Sequence, residues 1–182
     1  LHHNYYALAR GFPKRSAGED FYLLNKLRKI GNIQSLSEPV ISLSGRPSSR
    51  VPFGTGPAIN KISELNIPED EYLFYHPYCF QYLKKWLTLF PTLWQSKDLK
   101  TLLDDELLFS SLVEIGAEEA ILHATNNSKN QANFVKHMHN WFDAFKTLKF
   151  IHSLRELKLE SITKAQLQHY KNEFPFIASV GC

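Results

Sequence analysis

The sequence has few cysteines and lacks any long apolar run. Its 182 residues include only two cysteines, Cys79 and Cys182. Two thiols so far apart exclude a disulfide framework and favour a reducing, cytoplasmic compartment, with peripheral contact at a membrane left open. No apolar run approaches the roughly 18 residues that a membrane-spanning helix needs, and no basic-then-apolar signal opens the chain. We therefore expect no transmembrane segment.

The common short motifs of metal and phosphate sites are also missing. His137 and His139 are two residues apart and would point in different directions on a helix. No Cys/His zinc spacing or His-Glu-x-x-His pattern occurs. The glycines of Gly54-Thr55-Gly56 are not followed by Gly-Lys-Ser/Thr, so they do not form a phosphate-binding loop of that kind. We expect no metal site within this chain.

The composition indicates a folded protein with an uneven distribution of charge. Hydrophobic residues make up 43% and aromatic residues 13%, which is enough for a core in one large domain or two small ones. Residues 1–60 carry a net charge of +5, whereas residues 61–182 carry −2. A positive field suits a diphosphate ligand or a nucleic acid. No nucleic-acid recognition signature accompanies it, so we expect no nucleic-acid partner.

The most informative segment is a basic, glycine-punctuated loop followed by two adjacent acids. It reads Arg10-Gly11-Phe12-Pro13-Lys14-Arg15-Ser16-Ala17-Gly18-Glu19-Asp20. Apolar residues then recur at helical spacing (Phe21, Leu24, Leu27 and Ile30), which predicts a helix over residues 18–30 with Gly31 at its C-cap. One interpretation is structural, because carboxylates are favourable at a helix N-terminus. The other is catalytic, because capping requires neither the Arg-Gly-Phe turn nor the Lys14-Arg15 pair.

This segment resembles the acceptor-side acid motif of family 2 glycosyltransferases, which have the GT-A nucleotide-sugar fold. In that family a Gly-Gly-Phe turn precedes a short loop and then a Glu-Asp pair that opens a helix. The resemblance covers the first 55 to 60 residues. It implies a nucleotide-sugar donor, a hydroxyl acceptor and Asp20 as general base, with Glu19 holding the acceptor or orienting Asp20. Four basic loop residues would contact the donor diphosphate or the acceptor: Lys14, Arg15, Arg46 and Arg50.

The resemblance also implies that part of the catalytic domain precedes Leu1. The nucleotide-binding strands and the Asp-x-Asp motif of the family, which holds a divalent cation (Mg²⁺ or Mn²⁺), would lie there. Many members carry a metal-binding histidine after the acid helix, but the corresponding positions here read Leu43-Ser44-Gly45-Arg46. We therefore expect the chain alone to be an inactive portion of the enzyme, with residues 1–59 as the acceptor-side part of the GT-A domain.

Residues 60–182 are predicted to form a helical bundle. Apolar and aromatic stripes indicate helices at 72–90, around 99–115, at 118–124, at 130–157 and at 164–170, with Asp104-Asp105-Glu106 on one of them. Short strands are predicted only at 33–36 and 40–43. The fold class is thus α+β and predominantly helical. The alternative function is a non-catalytic helical interaction module, and docking on the catalytic fold, self-association as a homo-oligomer and membrane contact all stay open for the bundle.

Overall fold

The computed structural model describes residues 2–34, 38, 41, 45–51 and 54–179. The chain is predominantly helical and divides into two compact units, Leu1–Glu71 and Tyr72–Cys182. The boundary predicted from sequence, between residues 59 and 60, falls inside a helix that belongs to the first unit. No helix within the described ranges is both long and apolar enough to cross a bilayer.

The first unit contains four helices within its described residues. They are α1 (His3–Leu8), α2 (Glu19–Ile30), α3 (Thr55–Ser63) and α4 (Pro68–Glu71). Helix α1 packs against α2 through a small cluster in which Ala9 contacts Leu23 and Leu27. The Lys26 ammonium also donates a hydrogen bond to the carbonyl of Ala9 at 3.3 Å. These contacts hold the turn that follows α1 against α2.

Helix α2 begins and ends where the sequence predicts, but its buried face differs. Leu23 and Leu27 are buried, whereas Leu24 is 51% exposed and Ile30 is 40% exposed. The predicted stripe through Leu24 and Ile30 was therefore wrong. The reason is that the surface covering α2 is narrow: the small residue Ala9, at the C-cap of α1, makes the contact rather than a broad apolar layer.

The predicted strands are not supported where the structure describes them. Ile33 and Gln34 lie outside any strand, as does Ile41. The remaining residues of the 33–36 and 40–43 predictions lie outside the described residues. Within the described part of the chain, the only β-type pairing is an isolated antiparallel bridge between Phe74 and Ile162 in the second unit.

The second unit is a bundle of short helices. Their bounds are α5 (Tyr78–Thr88), α6 (Phe90–Ser96), α7 (Leu99–Leu102), α8 (Glu106–Glu114), α9 (Ala117–Asn126), α10 (Gln131–Trp141), α11 (Ala144–Leu157) and α12 (Lys164–Gln168), followed by a 3₁₀ helix, Pro175–Ser179. Helix α10 packs on α6 and α9, and α11 packs on α8 and α5. The core between them is therefore contributed by residues distant in sequence.

Aromatic side chains form the centre of that core, as the apolar stripes predict. Trp86 and Phe90 are fully buried, with ring centroids 5.0 Å apart in an edge-to-face arrangement. Phe142 lies within 6.0 Å of Trp86 and 5.9 Å of Phe150. Such pairs add to the hydrophobic stabilisation from the buried area alone. Cys79 is also fully buried, as expected for a small apolar residue.

Two long helices predicted from sequence are shorter in the structure. The 130–157 stretch is divided at Phe142 and Asp143, and the Asp143 carboxylate accepts hydrogen bonds from the amides of Phe145 and Lys146 to begin α11. The 72–90 stretch becomes helical only at Tyr78, because Pro77 occupies the N-cap position. The apolar periodicity continues across the break at Phe142 and Asp143, since residues on either side of it face the same core. Before Pro77, by contrast, Phe74 packs with Leu167 and Phe174.

The helix predicted around 99–115 is divided into α7 and α8, and of the acidic triplet at residues 104–106, which was predicted to be helical, only Glu106 lies in a helix. Asp104 and Asp105 precede α8, and the Asp105 carboxylate accepts a hydrogen bond from the Leu108 amide at 3.0 Å. It also pairs with the Lys85 ammonium at 3.7 Å. Asp105 therefore begins a helix and links it electrostatically to α5.

A small C-terminal cluster completes the second unit. Leu167 of α12 packs with Phe174 and Ile177, and a capping box at Thr163 and Gln166 begins α12. The Phe74–Ile162 bridge joins this segment to the chain preceding α5, through hydrogen bonds of 2.8 and 2.9 Å. The end of the unit is thereby tied to its beginning.

Asp105 should make the stability of the bundle depend on pH. Partial burial raises its pKa, but the Leu108 amide, the Tyr82 hydroxyl and the nearby Lys85 charge together hold it below the ordinary value. A carboxyl group with a lowered folded-state pKa stabilises above its unfolded pKa of about 3.9, and this contribution is lost as the pH falls through the folded value. We expect D105N to lower the free energy of unfolding at pH 7 and the deficit to shrink below about pH 4.

Urea titrations of the wild type and D105N at pH 7, 5 and 3 would check this. Asparagine caps helices about as well as aspartate, so D105N isolates the charge. The exposed neighbour Asp104 supplies the control, since D104N should leave the unfolding curve unchanged. A D105N deficit of the same size at pH 3 and pH 7 would contradict the electrostatic cause.

Candidate functional site

The two acids of the sequence motif are the first two residues of α2. Gly18 precedes them with a φ of +71°, in the left-handed region that favours glycine, and it offers no side-chain cap. Glu19 and Asp20 are both exposed. Carboxylates at this position interact favourably with the helix dipole, and Arg28 and Lys29 complement the other end. The motif therefore presents two negative charges at a rigid helix terminus.

The two carboxylates differ in their hydrogen bonding. One Asp20 oxygen accepts a hydrogen bond from the amide of Phe21 at 2.7 Å. Glu19 makes no side-chain hydrogen bond or ion pair with any other residue that the structure describes. Asp20 thus partly serves the helix end, as the structural interpretation expects. Both carboxylates remain accessible to solvent and to a ligand.

The loop before the acids is folded onto α1. Arg10 and Gly11 have φ values of +58° and +64°, so the chain reverses sharply at this point. A side chain on Gly11 would approach the Tyr6 hydroxyl at 3.0 Å. The Phe12 ring lies edge-on to Tyr6, with centroids 6.1 Å apart. The Arg-Gly-Phe turn is consequently packed against the neighbouring helix.

Arg15 is held at the same end of α2 as the acid pair. Its guanidinium carbon lies 4.3 Å from the centroid of the Tyr22 ring, within the range of a cation–π contact. Lys14 is exposed beside it. Sequence reasoning did not single out Tyr22, although an aromatic residue one turn into a helix after a basic loop would have been a usable signal. The structure thus brings Arg15 and the acids to one helix terminus.

Arg46 and Arg50 lie elsewhere in the first unit, on a loop seated against α3. Both are exposed. The loop is fixed at Ser48, whose carbonyl accepts a hydrogen bond from the Asn60 side chain at 3.3 Å. Gly56 of α3 permits this contact, because a Cβ there would lie 2.6 Å from the Ser48 Cβ and 2.8 Å from its carbonyl oxygen. Within the described segments, no hydrogen bond or ion pair links either arginine to the acid pair.

The close approach at Gly56 gives a testable requirement. We expect G56A to displace the 45–51 loop, because the added methyl group meets backbone rather than a flexible side-chain end. Overpacking of this kind costs about 1–3 kcal/mol, more than the roughly 1 kcal/mol that alanine gains over glycine within a helix. Tryptic cleavage after Arg50 should become several-fold faster.

Gly45 provides the matched control, since a Cβ there would meet no atom within 4 Å. G45A should therefore leave the cleavage rate close to that of the wild type. Equal cleavage rates for G56A and the wild type would show that the loop does not depend on the Ser48–Gly56 contact.

The described residues contain no group of three or more histidine, cysteine or acidic side chains placed to hold a metal ion. His2 caps α1 by accepting a hydrogen bond from the Asn4 amide, and its ring stacks on His3 at 4.5 Å. Burial raises the pKa of the Cys79 thiol to about 11, which the nearby Arg155 charge only partly opposes. Cys79 is therefore a packing residue rather than a nucleophile.

Comparisons with protein-family models, with curated proteins and with solved structures found no match to this chain.

Proposed function

We propose that this chain is the acceptor-side portion of a glycosyltransferase that transfers a sugar from a nucleotide-sugar donor to a hydroxyl group. The observation that carries the proposal is the exposed Glu19-Asp20 pair on the first turn of α2, immediately after a left-handed Gly18. The motif resembles that of family 2 enzymes with the GT-A fold, and the order of turn, short loop and acids is the same. The nucleotide-binding strands and the metal-binding motif would precede Leu1.

The position of Asp20 supports its role as general base. An attacking hydroxyl must lose its proton as the new glycosidic bond forms, and a carboxylate within hydrogen-bond reach can accept that proton. Packing of Leu23 and Leu27 against Ala9 anchors α2. Asp20 therefore sits on a rigid element, which favours precise placement against an acceptor. Glu19 would hold a second acceptor hydroxyl or orient Asp20.

The arginines support the other half of the reaction. A departing nucleoside diphosphate requires positive charge, and guanidinium groups bind phosphate oxygens at two points. The Tyr22 ring restrains Arg15 near the acids. The hydrogen bond from Asn60 of α3 to the Ser48 carbonyl fixes the loop that carries Arg46 and Arg50. The net charge of +5 in residues 1–60 would attract the donor. A divalent cation, which a motif preceding Leu1 would hold, would share this task.

A donor assay tests the proposal. The longer protein, extended to include the residues encoded before Leu1, should release nucleoside diphosphate from at least one of a panel of UDP-, GDP- and dTDP-hexoses with Mg²⁺ or Mn²⁺ present. Mono- and disaccharides would serve as acceptors. Water would react slowly in their place if none of them is used. Residues 1–182 alone should release none. Failure of the longer protein with every donor would contradict the proposal and favour the helical interaction module.

A further inference from the structure

The second unit contains an apolar cavity that the proposed transfer reaction does not use. Its volume is about 460 Å³, within the range of small-molecule sites. Its wall includes Phe74, Pro77 and Leu167, together with three further aromatic residues: Tyr75, Phe80 and Phe176. Side chains from before α5, from α5 and from the C-terminal segment thus line one cavity that is open to solvent.

The rim of this cavity is aromatic and open to solvent. Tyr75, Phe80 and Phe176 are 37%, 41% and 49% exposed, respectively. Their rings form a continuous edge, with centroids 6.4 Å apart for Tyr75 and Phe80 and 6.1 Å apart for Phe80 and Phe176. Exposed aromatic groups around an apolar hollow favour an apolar ligand, because its entry removes both surfaces from water.

A positive charge contacts one of the residues that line the cavity. The guanidinium carbon of Arg155 is 5.3 Å from the centroid of the Tyr75 ring. The Arg155 Nε is buried and donates no hydrogen bond, and this side chain makes no hydrogen bond or ion pair with any other residue in the described ranges. A buried donor without an acceptor is costly, and an anionic acceptor would relieve that cost.

We propose that the cavity binds the hydrocarbon chain of an anionic single-chain amphiphile, whose head group pairs with Arg155. The apolar wall favours a hydrocarbon chain, and the guanidinium of Arg155, which has no ion-pair partner in the described ranges, favours a negatively charged head group. A bound protein segment fits less well, because its backbone amides and carbonyls would lose water against a wall with almost no hydrogen-bonding groups. The proposal concerns the second unit and does not depend on sugar transfer.

Calorimetric titration of the 182-residue protein with monododecyl phosphate, kept below its micellar concentration, tests this. Dodecanol supplies the same chain without the charge. We expect both to bind, and the phosphate to bind about tenfold more tightly, as one charge-assisted hydrogen bond implies. Failure of both ligands to bind the wild type would overturn the proposal.

Variants separate the head-group contact from the chain contact. R155Q should reduce the affinity for dodecyl phosphate about tenfold and leave that for dodecanol unchanged. K158Q, which removes an exposed charge on the same stretch of chain, should change neither. L167W should fill the cavity and weaken both ligands. F80A opens the rim at an exposed position and should also weaken both, so it serves if L167W fails to fold.

Three results would refute the assignment. Unchanged binding in both L167W and F80A would place the ligand elsewhere. Equal affinities for the phosphate and the alcohol, with no effect of R155Q, would show that the cavity does not recognise an anionic head group. Sedimentation of the protein with vesicles of phosphatidylcholine and phosphatidylglycerol, without binding of monomeric dodecyl phosphate, would indicate a membrane surface rather than a single bound chain.

Discussion

Replacing Asp20 with asparagine is expected to slow the proposed sugar transfer by the longer protein about a hundredfold to ten-thousandfold. This is the usual contribution of a positioned general base, which the amide cannot replace. Donor binding should stay intact, because Asp20 would act on the acceptor. The expected kinetic signature is an equal fall in kcat and in kcat/KM for the donor, since the lost interaction belongs to the transition state.

The same substitution separates the catalytic and the structural interpretations. D20N keeps a side-chain oxygen that can accept the hydrogen bond from the Phe21 amide. It removes only an exposed charge–dipole interaction of about 0.3–1 kcal/mol, so it should lower the melting temperature only slightly. The exposed acid Glu64, at the end of α3, provides the matched control, and E64Q should affect neither rate nor stability. Wild-type turnover in D20N would exclude Asp20 as the base, and a large loss of stability would indicate that the carboxylate serves the fold.

Replacing Phe90 with alanine is expected to destabilise the second unit by about 3–5 kcal/mol, the usual cost of removing a buried aromatic ring. Phe90 is fully buried at the start of α6, and its ring meets Trp86 at 5.0 Å and His139 at 4.9 Å. Few large side chains could move to fill the space, because Phe142 is held on its other side by Phe150.

Urea unfolding followed by tryptophan fluorescence would measure this loss, since Trp86 reports on the same core. Leu122 is the matched control, because it is 63% exposed on α9 and L122A should change the stability by less than about 0.5 kcal/mol. If F90A lowered the free energy of unfolding by less than about 1 kcal/mol, the aromatic core around Trp86 would not be the main source of the stability of the second unit.

Local sequence signals predicted some elements well and others poorly. Helix α2 was predictable because glycine, two acids, apolar spacing and two final cations all agree on its bounds. Its buried face was not predictable, since that depends on the small contact surface of Ala9, the C-cap residue of α1. The break between α10 and α11 was missed because the aromatic stripe continues through it, although Asp143 is itself a recognisable cap.

The candidate site also has parts that the sequence predicts and parts that it does not. The acids could be found from their order in the sequence and from the resemblance that the order carries. The supports of the loops could not, because the contacts of Arg15 with Tyr22 and of Ser48 with Gly56 exist only once the chain has folded. Arg155 carries no local signal at all. Its neighbour Tyr75 is distant in sequence, and only the packing of α11 on α5 brings the two regions together.

The two hydrogen bonds between Phe74 and Ile162 have a mechanical consequence. They connect the chain just before the bundle with the chain just after α11, so tension applied beyond these two points passes through the bridge. The helices between them are partly shielded from the load until both bonds rupture, and the hydrogen bond between His76 and Tyr170 shares in this connection. Pulling on the second unit should therefore give a first extension step at the bridge, followed by unravelling of the aromatic core.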